Sequence, residues 1–367
     1  MSRKQFFILL LLCLQISLKC IAQNITAWND FNGRFRIFDN GTFRQLEGLP
    51  ALKFTVGYDW VAYISNNNTL RYYRKGQTND ITEGAFVQTI SDRTAYFYFT
   101  QTRQLDVIEQ NKRKTLTTWL ESSYETDSLV FYKDGYTSQY LVYGNGITFT
   151  LDDISPLEKN FEKLFSLGKN TFAYINSSQR LRVLYQNDFY GLDDAGTQTT
   201  FGAGQNIVAY TDRDGFNFRA FWKGNTYIVD ANAPTKFQMA NDMIAFVDIA
   251  GNFKVFENGQ TYTLDSYEPK EFSAVDSVVV FESSIGLFNA FYQGNVYLLD
   301  NIVPEKYEIA NGHVAWLDRN KWLQVFHNGK VINVTKEEVT DITLDGNLVR
   351  FTAGANDTKI WWDGVLY

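Results

Sequence analysis

Phe246, Phe281, Trp316 and Phe351 stand 35 residues apart, and Gly224, Gly259, Gly294, Gly329 and Gly364 keep the same interval. So do Phe237, Phe272, Tyr307 and Ile342. Self-similarity at a period of roughly 20–50 residues is the signature of a repeat architecture, in which each unit buries its apolar face only against its neighbours. The chain is therefore read as an array of one small motif.

The unit from Asn206 to Asp242 shows what that motif is. Ile207-Val208-Ala209-Tyr210-Thr211 is a β-branched and aromatic run, closed by the turn Asp212-Arg213-Asp214-Gly215. Phe216 to Trp222 reads as a second strand, Thr226 to Val229 as a third and Lys236 to Ala240 as a fourth. Short alternating runs separated by turn residues belong to an all-β array, and period-2 alternation excludes the helical 33- and 34-residue repeats.

Two kinds of residue fix the register. Tight hairpins need positive φ at both central positions, which Asn-Gly and Lys-Gly pairs tolerate. Such pairs stand at Asn40-Gly41, Lys75-Gly76, Asn145-Gly146, Lys223-Gly224, Asn258-Gly259, Gln293-Gly294, Asn328-Gly329 and Asp363-Gly364, and Asn111 and Asn187 take the same place in two degenerate copies. That gives ten repeats. All five prolines (Pro50, Pro156, Pro234, Pro269 and Pro304) fall in the connector between units. A proline cannot donate to a strand ladder, so a sheet array confines it there.

Short four-stranded units repeated around an axis make a β-propeller. The chain resembles WD40-like propellers of the TolB type, in which a hydrophobic–Ala–aromatic strand is followed by a polar turn, as in Val208-Ala209-Tyr210 and Val314-Ala315-Trp316. That family's Ser-Pro-Asp-Gly turn is replaced by Ala240-Asn241-Asp242, Ala310-Asn311-Gly312 and Leu344-Asp345-Gly346, so the resemblance carries the fold rather than kinship. The expectation is one propeller of about ten small blades over residues 23–367. An open or split array is the alternative. The first copy starts at the Ala27-Trp28 strand, so closure leaves one blade with three strands. The long fourth interval, from Leu157 to Phe165, is the one internal irregularity.

Residues 1–22 read as a secretory signal peptide. Arg3 and Lys4 precede the apolar run Phe6 to Leu12, and Cys20-Ile21-Ala22 supplies the small residues before a cleavage site. A lipoprotein acylated at Cys20 is disfavoured by Lys19. Both cysteines, Cys13 and Cys20, lie in this leader, so the exported chain has no thiol for a disulfide, a nucleophile or a metal. Losing Arg3, Lys4 and Lys19 from 34 basic residues leaves 31 against 41 acidic, a net −10. That balance disfavours nucleic acid and anionic lipid. No later stretch is apolar and long enough to span a bilayer.

The chemistry-bearing residues are few. His313 and His327 are the two histidines, with no HExxH spacing and no Gly-x-Ser-x-Gly elbow. Carboxylate pairs are always available in an acidic chain and nominate no hydrolase. Asp212-Arg213-Asp214-Gly215 holds part of a calcium loop without the distal glutamate. An Asx turn explains it, as it explains Asp248, Asp318, Asn29 and Asn176. The reading assigns no catalytic residue, no cofactor and no metal. Trp28, Trp222, Trp316 and Trp361 keep the repeat register and read as core. Trp60, Trp119 and Trp322 do not, and are the candidates for an exposed contact. The connectors form one rim carrying Asp152, Asp153, Glu158, Asp230, Glu268, Asp300, Glu305, Glu337 and Glu338.

The expected function is accordingly a non-enzymatic exported propeller that binds a protein partner, with Asp230, Glu268, Asp300 and Glu337 as rim contacts. The region Ala22-Gln23 resembles that of exported Bacteroidota proteins. In size, export and repeat class the chain resembles a periplasmic subunit that plugs or gates the type 9 secretion translocon. That resemblance implies a periplasmic location and an outer-membrane partner; a cell-surface location is the alternative. The last repeat runs to Tyr367 with no secretion-directing C-terminal domain, which favours the periplasm. Two other readings stay open: a glycan-binding lectin using exposed aromatics, and a hydrolase or lyase using rim carboxylates.

Overall fold

The computed structural model describes residues 24–367 except 84, 91–93, 100, 110–111, 127, 152–153, 155–163, 193–199, 213–215 and 355. The leader, both cysteines, Asn111, Asp152, Asp153, Pro156, Glu158, Arg213 to Gly215 and most of the irregular fourth interval lie outside the described residues.

The described strands form ten antiparallel sheets, nine of four strands and one of three. Each sheet is a meander of sequence neighbours, but the blade is offset by one strand from the sequence unit: Lys236–Met239, read as the fourth strand of the Asn206–Asp242 unit, pairs with Met243–Val247 and opens the next blade. The three-stranded blade is the first, over residues 25–47, and among the described residues it has no innermost strand. Blades 2 to 10 cover 53–83, 85–117, 120–150, 165–192, 201–230, 236–265, 272–300, 307–333 and 339–366. In blade 6 the strands are Ile207–Thr211, Phe218–Trp222 and Asn225–Asp230, preceded by Phe201–Ala203. The sequence places Phe216 and Asn217 in a strand, but they belong to the turn. The Asp212 carboxylate accepts both of their amides at 3.0 and 3.2 Å and so holds them out of the ladder.

The hairpins between third and fourth strands have the mirror-image geometry that their residues require. Lys223 and Gly224 have φ of 50° and 86°, and Asn258 and Gly259 have 52° and 81°. Two consecutive positive φ values turn the chain with the handedness of the strand twist.

Burial follows position in the blade. The second and third strands are almost wholly buried, as in Met243–Val247, whereas the outermost strand Gln260–Asp265 is half exposed. The core is divided into ten apolar clusters, each shared by two adjacent blades. An open array of ten blades would have nine such interfaces. The tenth joins blade 10 to blade 1: Trp28 and Phe38 pack with Leu348, Ile360 and Trp362. Tyr367 closes against Phe38, with ring centroids 5.0 Å apart, and the Thr26 hydroxyl bonds the buried Asp345 carboxylate across the seam. The ring is closed.

Candidate functional site

A meander places its turns alternately on two faces. Turns between first and second strands share one face with the Gly-bearing hairpins. Turns between second and third strands share the other with the connectors that lead to the next blade. The two faces differ in chemistry.

On the hairpin face, the turns of blades 5 to 8 close up on one another. Turns between first and second strands bond to one another from blade to blade: Asn170 N–H to Gln205 O at 3.1 Å, Gln205 N–H to Asn241 O at 2.8 Å, and Asn241 N–H to Asp276 O at 2.7 Å. The approach is so close that a Cβ on Gly168 would stand 1.8 Å from the Gly204 carbonyl oxygen. Lys169 of blade 5 then reaches Asp276 of blade 8 at 2.7 Å. A cavity of about 380 Å³ lies against these turns, lined by Gly168, Lys169, Gly204, Asn241 and Asp276 among others.

The connector face carries exposed apolar side chains. Phe31, Tyr136, Phe216, Ile249 and Ile285 stand at the tips of turns between second and third strands. Leu49, Leu52, Trp119 and Tyr267 stand on connectors. Ile285 is 78% exposed. Every other large exposed apolar residue among those described lies on an outermost strand or is the terminal Tyr367; none lies on the hairpin face's turns. A folded protein exposes single apolar residues routinely. Nine on one face and none on the opposite turns is a patterned surface, and patterned apolar exposure marks contact sites.

The turns of this face, with and without such tips, are tied by side-chain caps. Asp248 accepts the amides of Ala250 and Asn252, both at 2.9 Å, and Asp318 does the same for Asn320 and Trp322. Asn176 caps Ser178 and Arg180 likewise. These are the Asx turns expected at Asp212, Asp248, Asp318 and Asn176. In blade 1 the capping residue is Asp30; Asn29 instead clamps the backbone of Ala51. Burial works against the Asp248 carboxylate, but its bonds from Asn252 and Lys254 outweigh it and hold the pKa well below the usual range. Fixed loops on a ring are a preorganised binding surface.

The predicted acidic rim is a different object from the one expected. Asp230 pairs with Lys254 at 2.8 Å and is mostly buried. Glu268 pairs with Lys236 at 2.6 Å, and Glu337 with Lys359 at 2.7 Å. Asp300 accepts the Trp316 indole N–H at 3.2 Å. Glu338 is held by Lys321. These five carboxylates are each engaged by a lysine or an indole; for Asp230 and Asp300 it comes from the next blade. Such exposed pairs add little stability, yet they leave none of these five acids bare.

The tryptophan candidates divide. Trp60 is fully buried between blades 2 and 3, packed with Ala95 and Phe97, which corrects the expectation of an exposed contact there. It opens the strand Trp60–Ile64, which is buried on both faces: residues 60, 62 and 64 pack against blade 3 and residues 61 and 63 against blade 1. Trp322 is half-buried, with the Lys336 ammonium 5.8 Å from its ring. Trp119 is 43% exposed and pairs edge-to-face with Tyr136, itself 71% exposed, at 5.6 Å.

The two histidines meet. His313 Nε2 faces His327 Nδ1, while His313 Nδ1 bonds the Asn311 carbonyl at 2.9 Å. Both rings are withdrawn from solvent, and burial pushes both pKa values down, His313 to about 4. Their nitrogens bond to one another, to Asn311, and to Asn328 at 2.8 Å, with Asp363 at 3.2 Å.

A family model described as a 10-bladed beta propeller domain matches residues 19–367. Three solved structures are similar at low identity. A computationally designed protein, Ika8, is 14% identical, with 84% of this chain and 95% of that one covered and a TM-score of 0.35. BamB from Moraxella catarrhalis is 12% identical, with 84% and 96% covered and a TM-score of 0.32. PorZ, a surface component of the type-IX secretion system of Porphyromonas gingivalis, is 8% identical over 86% of this chain and 51% of that one, with a TM-score of 0.30. No curated protein matches the sequence.

Proposed function

We propose that this chain, which belongs to the family of the 10-bladed beta propeller domain, is a non-enzymatic protein-interaction subunit that docks through its connector face. The observation that carries the reading is the division between faces: nine large apolar side chains stand on connector-face loops, and the hairpin turns carry none among the described residues. Two further features support it. The Asx-capped turns lose little conformational freedom on binding. The turn-to-turn hydrogen bonds and the Lys169–Asp276 pair draw blades 5 to 8 together at the axis, so the ring is built more as a disc than as a conduit.

A disc with one adhesive face suits an exported subunit that caps a larger assembly. Within this reading, the partner is an outer-membrane or secretion complex, the location periplasmic, and the action plugging or gating a translocon. A compact chain of this length has a radius of gyration of roughly 20 Å, enough to cover a wide pore. Affinity purification from detergent-solubilised membranes is the test. The expected result is co-purification of a membrane complex, weakened when Phe216, Ile249 and Ile285 are replaced by serine. Recovery of the protein alone, as a monomer, contradicts the proposal.

The exposed Trp119–Tyr136 pair supports a second reading, a glycan-binding propeller, because aromatic faces also stack on sugars. A glycan array with no signal above background counts against it.

A further inference from the structure

Among the exposed apolar groups of the connector face, the Trp119–Tyr136 pair carries a cation of its own. The Arg103 guanidinium lies 5.3 Å from the Trp119 ring centroid and forms no ion pair among the described residues. Lys236, Lys254, Lys306, Lys321 and Lys359 on the same face each hold a carboxylate, and Lys336, which forms no ion pair among the described residues, lies over the half-buried Trp322 instead. Neighbouring acids are already engaged. Asp134 accepts the amides of Tyr136 and Thr137 at 3.0 and 2.7 Å and the hydroxyls of Thr117 and Thr137. Glu121 holds Lys133 at 2.7 Å.

The three loops that present this triad are bolted together. Leu120 N–H donates to the Arg103 carbonyl at 2.7 Å, and Gly135 N–H to the Trp119 carbonyl at 2.7 Å. Trp119 N–H donates to the Thr117 hydroxyl at 3.0 Å. The indole lies directly on the Gly135 backbone, where a Cβ would stand 2.0 Å from its Cδ1. Trp, Tyr and Arg are the residue types that dominate binding hot spots, and they do so when rigidly held and able to be desolvated.

We propose that Arg103, Trp119 and Tyr136 form the anchor for a partner protein segment bearing a carboxylate close to a bulky apolar side chain. The guanidinium receives the carboxylate through paired N–H donors, and the two rings receive the apolar group. This rests on the docking role of the connector face and names the chemistry of what docks. The net charge of residues 23–367, 31 basic against 41 acidic or −10, gives no long-range attraction to an acidic segment, so recognition is local. Gly135 is a positioning residue, since it sets where the indole lies without touching the partner.

The test uses fluorescein-labelled synthetic 12-residue peptides and fluorescence anisotropy with the exported chain, residues 23–367. Each peptide pairs one Leu or Phe with an Asp or Glu two positions away, and is compared with its Asn/Gln and its Lys counterparts. The acidic member is expected to bind at least about tenfold more tightly than either counterpart, a hot-spot-sized effect. Arg103→Glu should abolish that preference and turn it toward the Lys peptide. Gly135→Ala should weaken all binding at unchanged charge. Arg103 is exposed, so its substitution keeps the test valid even where Trp119→Ala or Gly135→Ala lowers stability. Equal binding of the three peptide classes, or indifference to Arg103→Glu, overturns the assignment. Displacement of the acidic peptide by neutral oligosaccharides, through Trp119 but independent of Arg103, also overturns it in favour of a sugar platform. Membrane capture that survives Arg103→Glu but fails with Phe216, Ile249 and Ile285 replaced sinks this anchor alone, whereas capture unaffected by either sinks the docking role.

Discussion

His313 should make the fold sensitive to mild acid. It occupies a seat held by Ile207, Met243, Val278 and Leu348 in other blades, and it is nearly inaccessible to solvent. Its hydrogen-bond partners fix the tautomers. The Asn311 carbonyl can only accept, so His313 Nδ1 carries the proton and Nε2 must accept from His327 Nδ1–H. A second proton on His313 would set two N–H groups against each other. Burial first, then the charge of His327, brings its pKa from 6.5 to about 4. The group is neutral in the folded ring, while the unfolded chain takes up a proton below pH 6.5. Its stabilisation is therefore complete above pH 6.5 and is lost as pH falls toward 4. At about 1.36 kcal/mol per pKa unit, the full loss is about 3 kcal/mol, of which about 2.5 is felt at pH 4.5. Urea denaturation followed by tryptophan fluorescence at pH 7.5 and 4.5 measures it. His313→Met, which installs the residue found at the same position in blade 7, should lose about 2.5 kcal/mol less than the natural chain over that interval. Carboxylate titrations are common to both proteins and cancel in the comparison. An equal pH response of the two would refute a buried neutral His313.

Trp60→Ala should cost about 3–5 kcal/mol in the same denaturation assay, as expected for deleting a fully buried indole. An effect below about 1 kcal/mol would place Trp60 at the surface after all. Gly168→Ala drives a Cβ into the Gly204 carbonyl and should cost at least about 1–3 kcal/mol, with the loss of amide protection centred on residues 168–170 and 204–206. Replacing Phe31, Ile249 and Ile285 together by serine should leave the melting temperature within a few degrees, since exposed substitutions each change stability by only about 0.5 kcal/mol. A large drop there would show that the tips are structural.

The fold could be read from the sequence because its determinants are local and repeated. A hairpin's Lys-Gly pair, a connector proline and an Ala–aromatic strand each act within a few residues, so their spacing gives the blades directly. Ring closure was legible only as a missing strand; Phe38 against Tyr367 and Thr26 against Asp345 join opposite ends of the chain. The surface was harder. Asp230 reads as a bare acid until Lys254, 24 residues later, is seen to hold it. Lys169 and Asp276 are 107 residues apart, and nothing local to either shows that they meet at the axis. Trp60 stands outside the aromatic register, but its strand is sandwiched between two blades, so every position of Trp60–Ile64 is buried. The apolar tips did leave a signal. Phe31 in Asn29-Asp30-Phe31-Asn32-Gly33 and Ile249 in Asp248-Ile249-Ala250-Gly251 are large apolar residues in turns otherwise built from polar and small ones. Taken singly, each looks like ordinary surface; only the ring puts them on one face.

Hydrogen–deuterium exchange of the chain alone and in the membrane complex proposed for it tests the connector-face assignment most directly. Protection on complex formation is predicted for residues 30–33, 134–139, 248–252 and 283–287. The hairpins at 223–224, 258–259 and 293–294 are predicted to exchange unchanged. Protection confined to those hairpins, with the apolar tips still exchanging freely, would contradict the account.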